Sequence, residues 1–408
     1  MSNPGKLLSI NNYHYRRGGA EAVYFNHAAL FSELGWDTAF FAMHHPKNRD
    51  SAQQEFFVDE IELGREKGFL HKLVLAPKIV YSLEARRKLG ALLDNFSADI
   101  AHIHSVYHHI SPSVLSLLKQ RGVPVVLTAH DLKLLCPAYT MLSNGKVCED
   151  CLGGKTWNVT RKRCIKGSTA LSLLVGIEAF VHGLLKSYGD NVAKIIAPSQ
   201  FYRDKFVEWG WPEQQLQYIP NYVESGQFTP DFNAGSYFLY FGRLVRDKGV
   251  QTLIAASANA GTKLKIAGTG PADTEFRRLA EKLGADVEFL GFRSGQALHK
   301  LIADARAVVL PSEWYENSPV SLLEAYALGK PVIGADIGGI PEMITAETGW
   351  LFTSGNTAEL AQCLDTVNAL PSGQIAAMGS AARDLVEQRY TSAGYLHAMQ
   401  GIYAELSN

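Results

Sequence analysis

The segment PSEWYENSPVSLLEAYALGKPV, residues 311–332, decides the architecture. The apolar run AVVL precedes it, the run VIGA closes it, and the helical pattern SLLEAYAL between them stops at Gly329. A strand, a helix and a second strand in so short a span make a crossover unit, with its two strands parallel. Ser318 and Pro319 stand where a helix cap and a first helical residue belong, which predicts that the amides of Val320 and Ser321 are open to a ligand. Such amides suit a phosphate. Glu316 precedes the helix and Glu324 lies inside it, eight residues on. Carboxylates so placed suit sugar or ribose hydroxyls. The alternative is that both are surface charges, but an acid within an otherwise apolar helix needs a partner.

Working outward, the same alternation recurs. The second half reads YFLYFG, LKIAG, VEFLG, AVVLPS and PVIGA, separated by helical stretches that end in glycine, such as LAEKLG and LEAYALG. The first half reads KLLSI, a helix over 20–34, TAFFAM, DIAHIH, a helix over 113–121, and PVVLTAH. With 408 residues, 47% of them hydrophobic and 19% charged, the chain is globular and long enough for two domains. The stretch IPNYVESGQFTPDFNAGS has no sustained period and is rich in Pro, Gly, Ser and Asn, so the boundary belongs near 220–236. Ligands of open α/β sheets bind beyond the carboxyl ends of the strands. Two doubly wound units facing each other therefore place a substrate in the cleft between them.

Other motifs sit just after strands. Gly18 and Gly19 precede a helix whose apolar face includes Val23, Leu30 and Leu34, either as a phosphate turn or as an ordinary strand-to-helix turn. Arg243 and Lys248 follow the second half's first strand, where two cations suit a pyrophosphate or form a solvated charge pair. His130 ends PVVLTAH at the cleft, placed to donate to a sugar hydroxyl or to developing charge; the plainer role is a strand-end His bonded to backbone. His102 and His104 share one face of DIAHIH, and His104, His108 and His109 are candidate acceptor contacts.

The spacing from Glu316 to Glu324 resembles the Glu-x7-Glu motif of retaining glycosyltransferases of family 4, which have the GT-B fold. The resemblance extends to Gly18-Gly19-Ala20-Glu21, Thr128-Ala129-His130-Asp131, Ala197-Pro198-Ser199, Ile219-Pro220-Asn221, Gly242-Arg243, Lys248-Gly249, Gly268-Thr269-Gly270 and Gly338-Gly339-Ile340-Pro341-Glu342. It implies two Rossmann-like domains across a cleft, 1–219 on the acceptor side and 220–408 on the donor side, with the last helix, about 390–408, packing back on the first domain. It implies that Gly18 and Gly19 meet the donor phosphate, Arg243 and Lys248 the diphosphate, Glu316 the sugar and Glu324 the ribose. Gly268 and Phe292 flank the base, and His130 lines the sugar site. Retaining transfer from a UDP- or GDP-sugar to a saccharide or lipid-linked saccharide is the implied reaction. The chain has no Asp-x-Asp pair to hold a catalytic metal. Two rivals share the donor pocket: an epimerase, which releases an isomeric nucleotide sugar, and a non-catalytic nucleotide-sugar-binding protein.

Cys136, Cys148, Cys151 and Cys164, spaced C-x11-C-x2-C-x12-C, form an insertion over 136–164 that resembles a structural zinc site; disulfide or redox pairing and unrelated thiols are the alternatives. Cys363 reads as core. The net charge of −1 hides an asymmetry, because residues 1–220 hold 25 Lys and Arg against 20 Asp and Glu. One basic group comprises Arg65, Lys67, Lys72, Lys78, Arg86, Arg87 and Lys88, another Lys155, Arg161, Lys162, Arg163 and Lys166. These suit an anionic membrane surface or merely solvate the domain. Nucleic acid is not expected as a partner. Residues 170–185, broken by Glu178 and His182, read as a buried or amphipathic helix rather than a span, and no signal peptide is evident at the start. The expected location is cytoplasmic, including the inner face of the membrane.

Overall fold

The computed structural model describes residues 5–61 and 77–407. The first parallel sheet contains β1 (Lys6–Asn11), β2 (Asp37–Phe41), β3 (Ile100–Ser105) and β4 (Val125–Thr128). A small hairpin, β5 (Leu142–Ser143) and β6 (Lys146–Val147), interrupts it before β7 (Lys194–Ala197) and β8 (Leu216–Tyr218). Its spatial order is β2-β1-β3-β4-β7-β8. The second sheet takes β9 (Phe238–Phe241), β10 (Leu264–Ala267), β11 (Val287–Gly291), β12 (Ala307–Leu310), β13 (Val332–Asp336) and β14 (Gly349–Thr353) in the order β11-β10-β9-β12-β13-β14. Strand order reverses between β1 and β3 and between β9 and β12, and each reversal opens a crevice at the carboxyl ends.

Buried β-branched and leucine side chains define the strands. Leu8, Ile10, Ile103, Leu127 and Ile195 pack into one core, while Ile266, Val309 and Ile333 pack into another. The last helix, Ser392–Ser407, leaves the second domain and buries Tyr395, Met399, Ile402 and Tyr403 against Leu7, Phe31, Ile100, Val126 and Ile196 of the first. A helix from the end of the chain therefore completes the opening domain's core.

Two local expectations need correction. The PVVLTAH strand ends at Thr128, so His130 lies on the loop beyond it. Ser318 does not cap the Val320–Ala327 helix, because Pro319 is extended, no side chain caps this end, and the Ser318 hydroxyl faces Met343 Sδ. The 170–185 segment forms the Thr169–Leu184 helix, whose acid and imidazole are buried while several of its apolar side chains are exposed. Of the first basic group, Arg65, Lys67 and Lys72 lie outside the described residues.

Candidate active site

At the reversal of the second sheet, two loops meet because glycine lets them. Gly249 has φ +66°, and a Cβ there would stand 1.8 Å from the Pro311 carbonyl oxygen. Only glycine permits the turn that carries Lys248 to approach the end of β12 this closely. Lys248 Nζ lies 2.6 Å from Glu316 Oε1. That oxygen also accepts from Ser312 Oγ at 2.6 Å and Trp314 Nε1 at 2.8 Å, and the ammonium sits over the Trp314 ring. Burial by itself would raise the Glu316 carboxyl, but the Lys248 charge and these three hydrogen bonds hold it below the ordinary carboxylate range. Two residues assigned to different parts of a donor are thus one ion pair. Arg243, by contrast, is exposed and makes no side-chain hydrogen bond or ion pair among the described residues.

The Glu324 side chain, one turn into the Val320–Ala327 helix, has no hydrogen-bond partner among the described residues, and burial pushes its carboxyl up to about 7. The Gly268 turn is pinned: its amide donates to Gly291 O, and a Cβ there would meet Gly242 O at 1.8 Å. Phe292, just past β11, is 69% exposed. Gly338 and Gly339 wrap the donor loop, with the Gly339 amide donating to Glu316 O at 2.8 Å.

The first domain contributes a stack of imidazoles. His130 Nε2 lies 2.9 Å from His104 Nδ1, and the rings of His104, His102 and His27 follow at centroid spacings of 4.7 and 4.2 Å. His102 also bonds Thr128 Oγ1, and the Tyr403 hydroxyl of the last helix is shared by His27 Nε2 and His102 Nδ1. His104 is buried, with Nδ1 against His130 and Nε2 unpartnered among the described residues. A proton on His104 Nδ1 leaves no N–H buried without an acceptor. That tautomer donates to His130 Nε2 and puts the proton of neutral His130 on Nδ1, the nitrogen not committed to His104. His108 Nδ1 lies 3.4 Å from Glu178, and His109 Nδ1 accepts from the Ile61 amide. Gly18 and Gly19 have open space where side chains would be, yet the Glu21 carboxyl takes the amides of Arg17 and Gly18. In this state the chain's own carboxyl occupies part of the turn expected to hold phosphate.

Asn317, which sequence reading passed over, joins the domains. Its Nδ2 donates to Ala129 O at 2.8 Å and its Oδ1 accepts from Ser199 Oγ at 2.9 Å. Glu342 accepts from the Gln200 and Phe201 amides, and Asn221 Nδ2 donates to Ser318 O. Polar residues flanking two domain-spanning motifs were the available signal. The cysteine lobe also reaches the donor loop, since Glu149 accepts from the Tyr315 hydroxyl at 2.7 Å and pairs with Lys205.

All five cysteines are free. Burial first, then its neighbours Cys136, Cys148 and Cys164, push the Cys151 thiol up to about 12, so the four share one lobe. Among the described residues no group of three or more His, Cys, Asp or Glu side chains is arranged to hold a metal ion. Lys162 Nζ donates to Cys148 Sγ at 3.2 Å, placing a cation where a metal site would repel it. Cys363 packs against the second core.

A family described as Glycosyltransferase Family 4 matches residues 17–226, half of the chain. The chain belongs to glycosyltransferase family 4. A second family, described as Glycosyl transferases group 1, matches residues 228–384, which include Arg243, Lys248, Glu316 and Glu324. A putative colanic acid biosynthesis glycosyltransferase of Escherichia coli is 31% identical over 161 residues, 36% of this chain and 40% of that protein. A GDP-mannose-dependent monoacylated alpha-(1-6)-phosphatidylinositol monomannoside mannosyltransferase of Corynebacterium glutamicum is 29% identical over 51% of this chain and 61% of its own length. The chain therefore spans about two to three fifths of the curated relatives it matches. Sucrose-phosphate synthase from Thermosynechococcus elongatus aligns with TM-score 0.71 and 20% identity over 99% of this chain and 98% of its own. Anabaena HepE, solved with UDP and glucose, aligns with TM-score 0.68 and 18% identity over 98% and 100%. These likenesses place this family 4 chain in the GT-B fold.

The imidazole stack makes stability depend on pH. Burial lowers His27 to about 3 and His130 to about 4 from an ordinary 6.5, and lowers His102 and His104 as well. The unfolded chain takes up these protons near pH 6.5 and the folded chain only near pH 4 and below. Stability is therefore intact above 6.5 and lost as pH falls from there, by about 1.4 kcal/mol per pH unit for each proton. The melting temperature should be level from pH 8 to 7 and fall steeply from 6.5 to 5, whereas a level profile to pH 5 would refute the neutral stack.

Proposed function

We propose that this protein transfers a sugar, with retention at the anomeric carbon, from a UDP- or GDP-sugar to a saccharide or lipid-linked saccharide, without a catalytic metal. The Lys248–Glu316 pair at the sheet reversal, beside the uncapped Val320–Ala327 helix and the exposed Arg243, carries the reading. Arg243, Lys248 and the amides of Val320 and Ser321 neutralise the departing diphosphate, whose charge is greatest in the transition state. Glu316 binds sugar hydroxyls through Oε2, because Oε1 already accepts three hydrogen bonds. A carboxylate so engaged is a poor nucleophile, which favours same-face attack with the leaving phosphate taking the acceptor's proton. His130 donates from Nδ1 to the sugar. Glu324, half-buried and with its carboxyl unpartnered among the described residues, accepts from the ribose, with Gly268 and Phe292 beside the base and Gly18 and Gly19 approaching the phosphate. Relatives named for GDP-mannose and a structural neighbour holding UDP support this donor class.

The cysteine lobe is read as a zinc staple. Its four thiols lie close enough to act on one another electrostatically; burial and that proximity push the Cys136, Cys151 and Cys164 thiols up, so in the absence of metal they stay protonated, and binding zinc would release their protons. Zinc would draw them together and displace Lys162.

Arg243→Ala should lower kcat/KM at least about tenfold with an unchanged melting temperature, since it removes a charge-assisted contact worth roughly 1.5 to 3 kcal/mol. Lys248→Ala should lose as much and also melt earlier, because it strands a buried carboxylate. Wild-type turnover in both would remove the diphosphate assignment. Transfer should persist in EDTA; a loss that magnesium or manganese restores would overturn metal independence. Elemental analysis of protein purified without affinity metal should find about one zinc per chain, released in Cys148→Ser. Metal-free, fully active protein with four titratable thiols would end the zinc reading.

A further inference from the structure

The Thr169–Leu184 helix is inside out. Ser172, Glu178 and His182 face inward: Glu178 is 1% exposed and pairs with Lys133 at 3.0 Å, and His182 Nε2 donates to Val80 O at 2.8 Å. Its outward stripe is Leu173, Ile177, Phe180 and Leu184, spaced four, three and four residues apart and 49%, 48%, 58% and 72% exposed. Leu185 continues the stripe, and no charged side chain interrupts it. A soluble helix shows the opposite pattern, and a contiguous apolar face of this kind marks a surface that meets something apolar.

The surroundings say what that is. Arg161, Arg163 and Lys166 are exposed just before the helix, Lys186 just after it, and no Asp or Glu occurs from 152 to 177. Trp157 is 63% exposed on the neighbouring short helix. An aliphatic stripe with an exposed tryptophan and a cationic rim complements a bilayer containing acidic lipid, where apolar burial and electrostatic attraction add. No helix among the described residues is long and apolar enough to cross a membrane, so such a face would lie on the surface. The rival basic cluster is already engaged: Arg86 bonds Ser116 and Gln120, while Lys88 bonds Glu84 and Phe57 O.

We propose that the outward face of the Thr169–Leu184 helix, with Trp157 and its cationic rim, docks this protein on an anionic bilayer and presents the cleft to a lipid-linked acceptor held there. The helix is suited to the second task. Its buried Glu178 also faces His108, and a cavity of about 220 Å³ lies between Leu171 and Leu174 on the helix and His108 and Ala138 on the loops beyond β3 and β4. The acceptor clause rests on the glycosyl-transfer reading, and the docking clause does not.

Full-length protein should cosediment with phosphatidylcholine vesicles containing phosphatidylglycerol, less so as salt rises, and little with phosphatidylcholine alone. The double variant F180D/L184D and the triple variant R161E/R163E/K166E should each weaken this partition about tenfold or more, with unchanged melting temperature and unchanged thermal shift by UDP- or GDP-sugars. Should either variant misfold, a blue shift of wild-type fluorescence on acidic vesicles that is absent in Trp157→Phe is the second readout. Equal sedimentation of wild type and F180D/L184D would overturn the proposal. So would a wild-type dimer that F180D/L184D splits without vesicle binding, which would assign the face to a second copy. Docking without transfer to any lipid-linked saccharide would refute the acceptor clause and leave docking standing.

Discussion

One side-chain amide holds the two halves of the site in register. Asn317 spans the cleft from the donor loop to Ala129 and Ser199, using its donor and its acceptor. Its chain neighbour is Glu316, and the neighbour of Ala129 is His130, so Asn317, with the Glu342 and Asn221 contacts beside it, sets the Glu316 carboxylate and the His130 imidazole relative to each other. Glycine makes the approach feasible: a Cβ on Gly339 would stand 2.0 Å from Asn317 O and 2.7 Å from Ser199 Cβ. Polar contacts at the cleft thus add to the apolar packing of the last helix in holding the two domains together.

Charge is distributed unevenly across this junction. On the donor side Glu316 is committed to Lys248, while Arg243 stays exposed. On the other side burial holds four imidazoles neutral, so these histidines add hydrogen-bonding groups but no charge, an outcome that follows from burial rather than from residue type.

Much of this was legible in the sequence because it is local. Alternating apolar runs gave both parallel sheets, and 311–332 gave the donor loop and its helix. The inner strand β7 and the edge strands β8 and β14 are harder to read, since short strands carry little periodicity of their own. Local pattern also could not say which way a side chain turns. His104 stands at the end of its strand, where the cleft is expected, yet it is buried against His102, whose Nδ1 bonds the Tyr403 hydroxyl some 300 residues away in sequence. Ser318 has a good capping residue's chemistry, but the extended Pro319 directs it elsewhere. The Thr169–Leu184 helix defeats periodicity outright, because hydrophobicity marks its outer face and a long-range pair, Glu178 with Lys133, its inner one.

The last helix imposes an order on how the molecule comes into being. During synthesis the first sheet emerges well before residues 392–407, and until they arrive His27 and His102 lack the Tyr403 hydroxyl and Leu7, Ile100 and Val126 lack their cover. The second domain, complete in its own core, can close while the first is still waiting. The opening domain therefore completes its core only after residues 392–407 have been made.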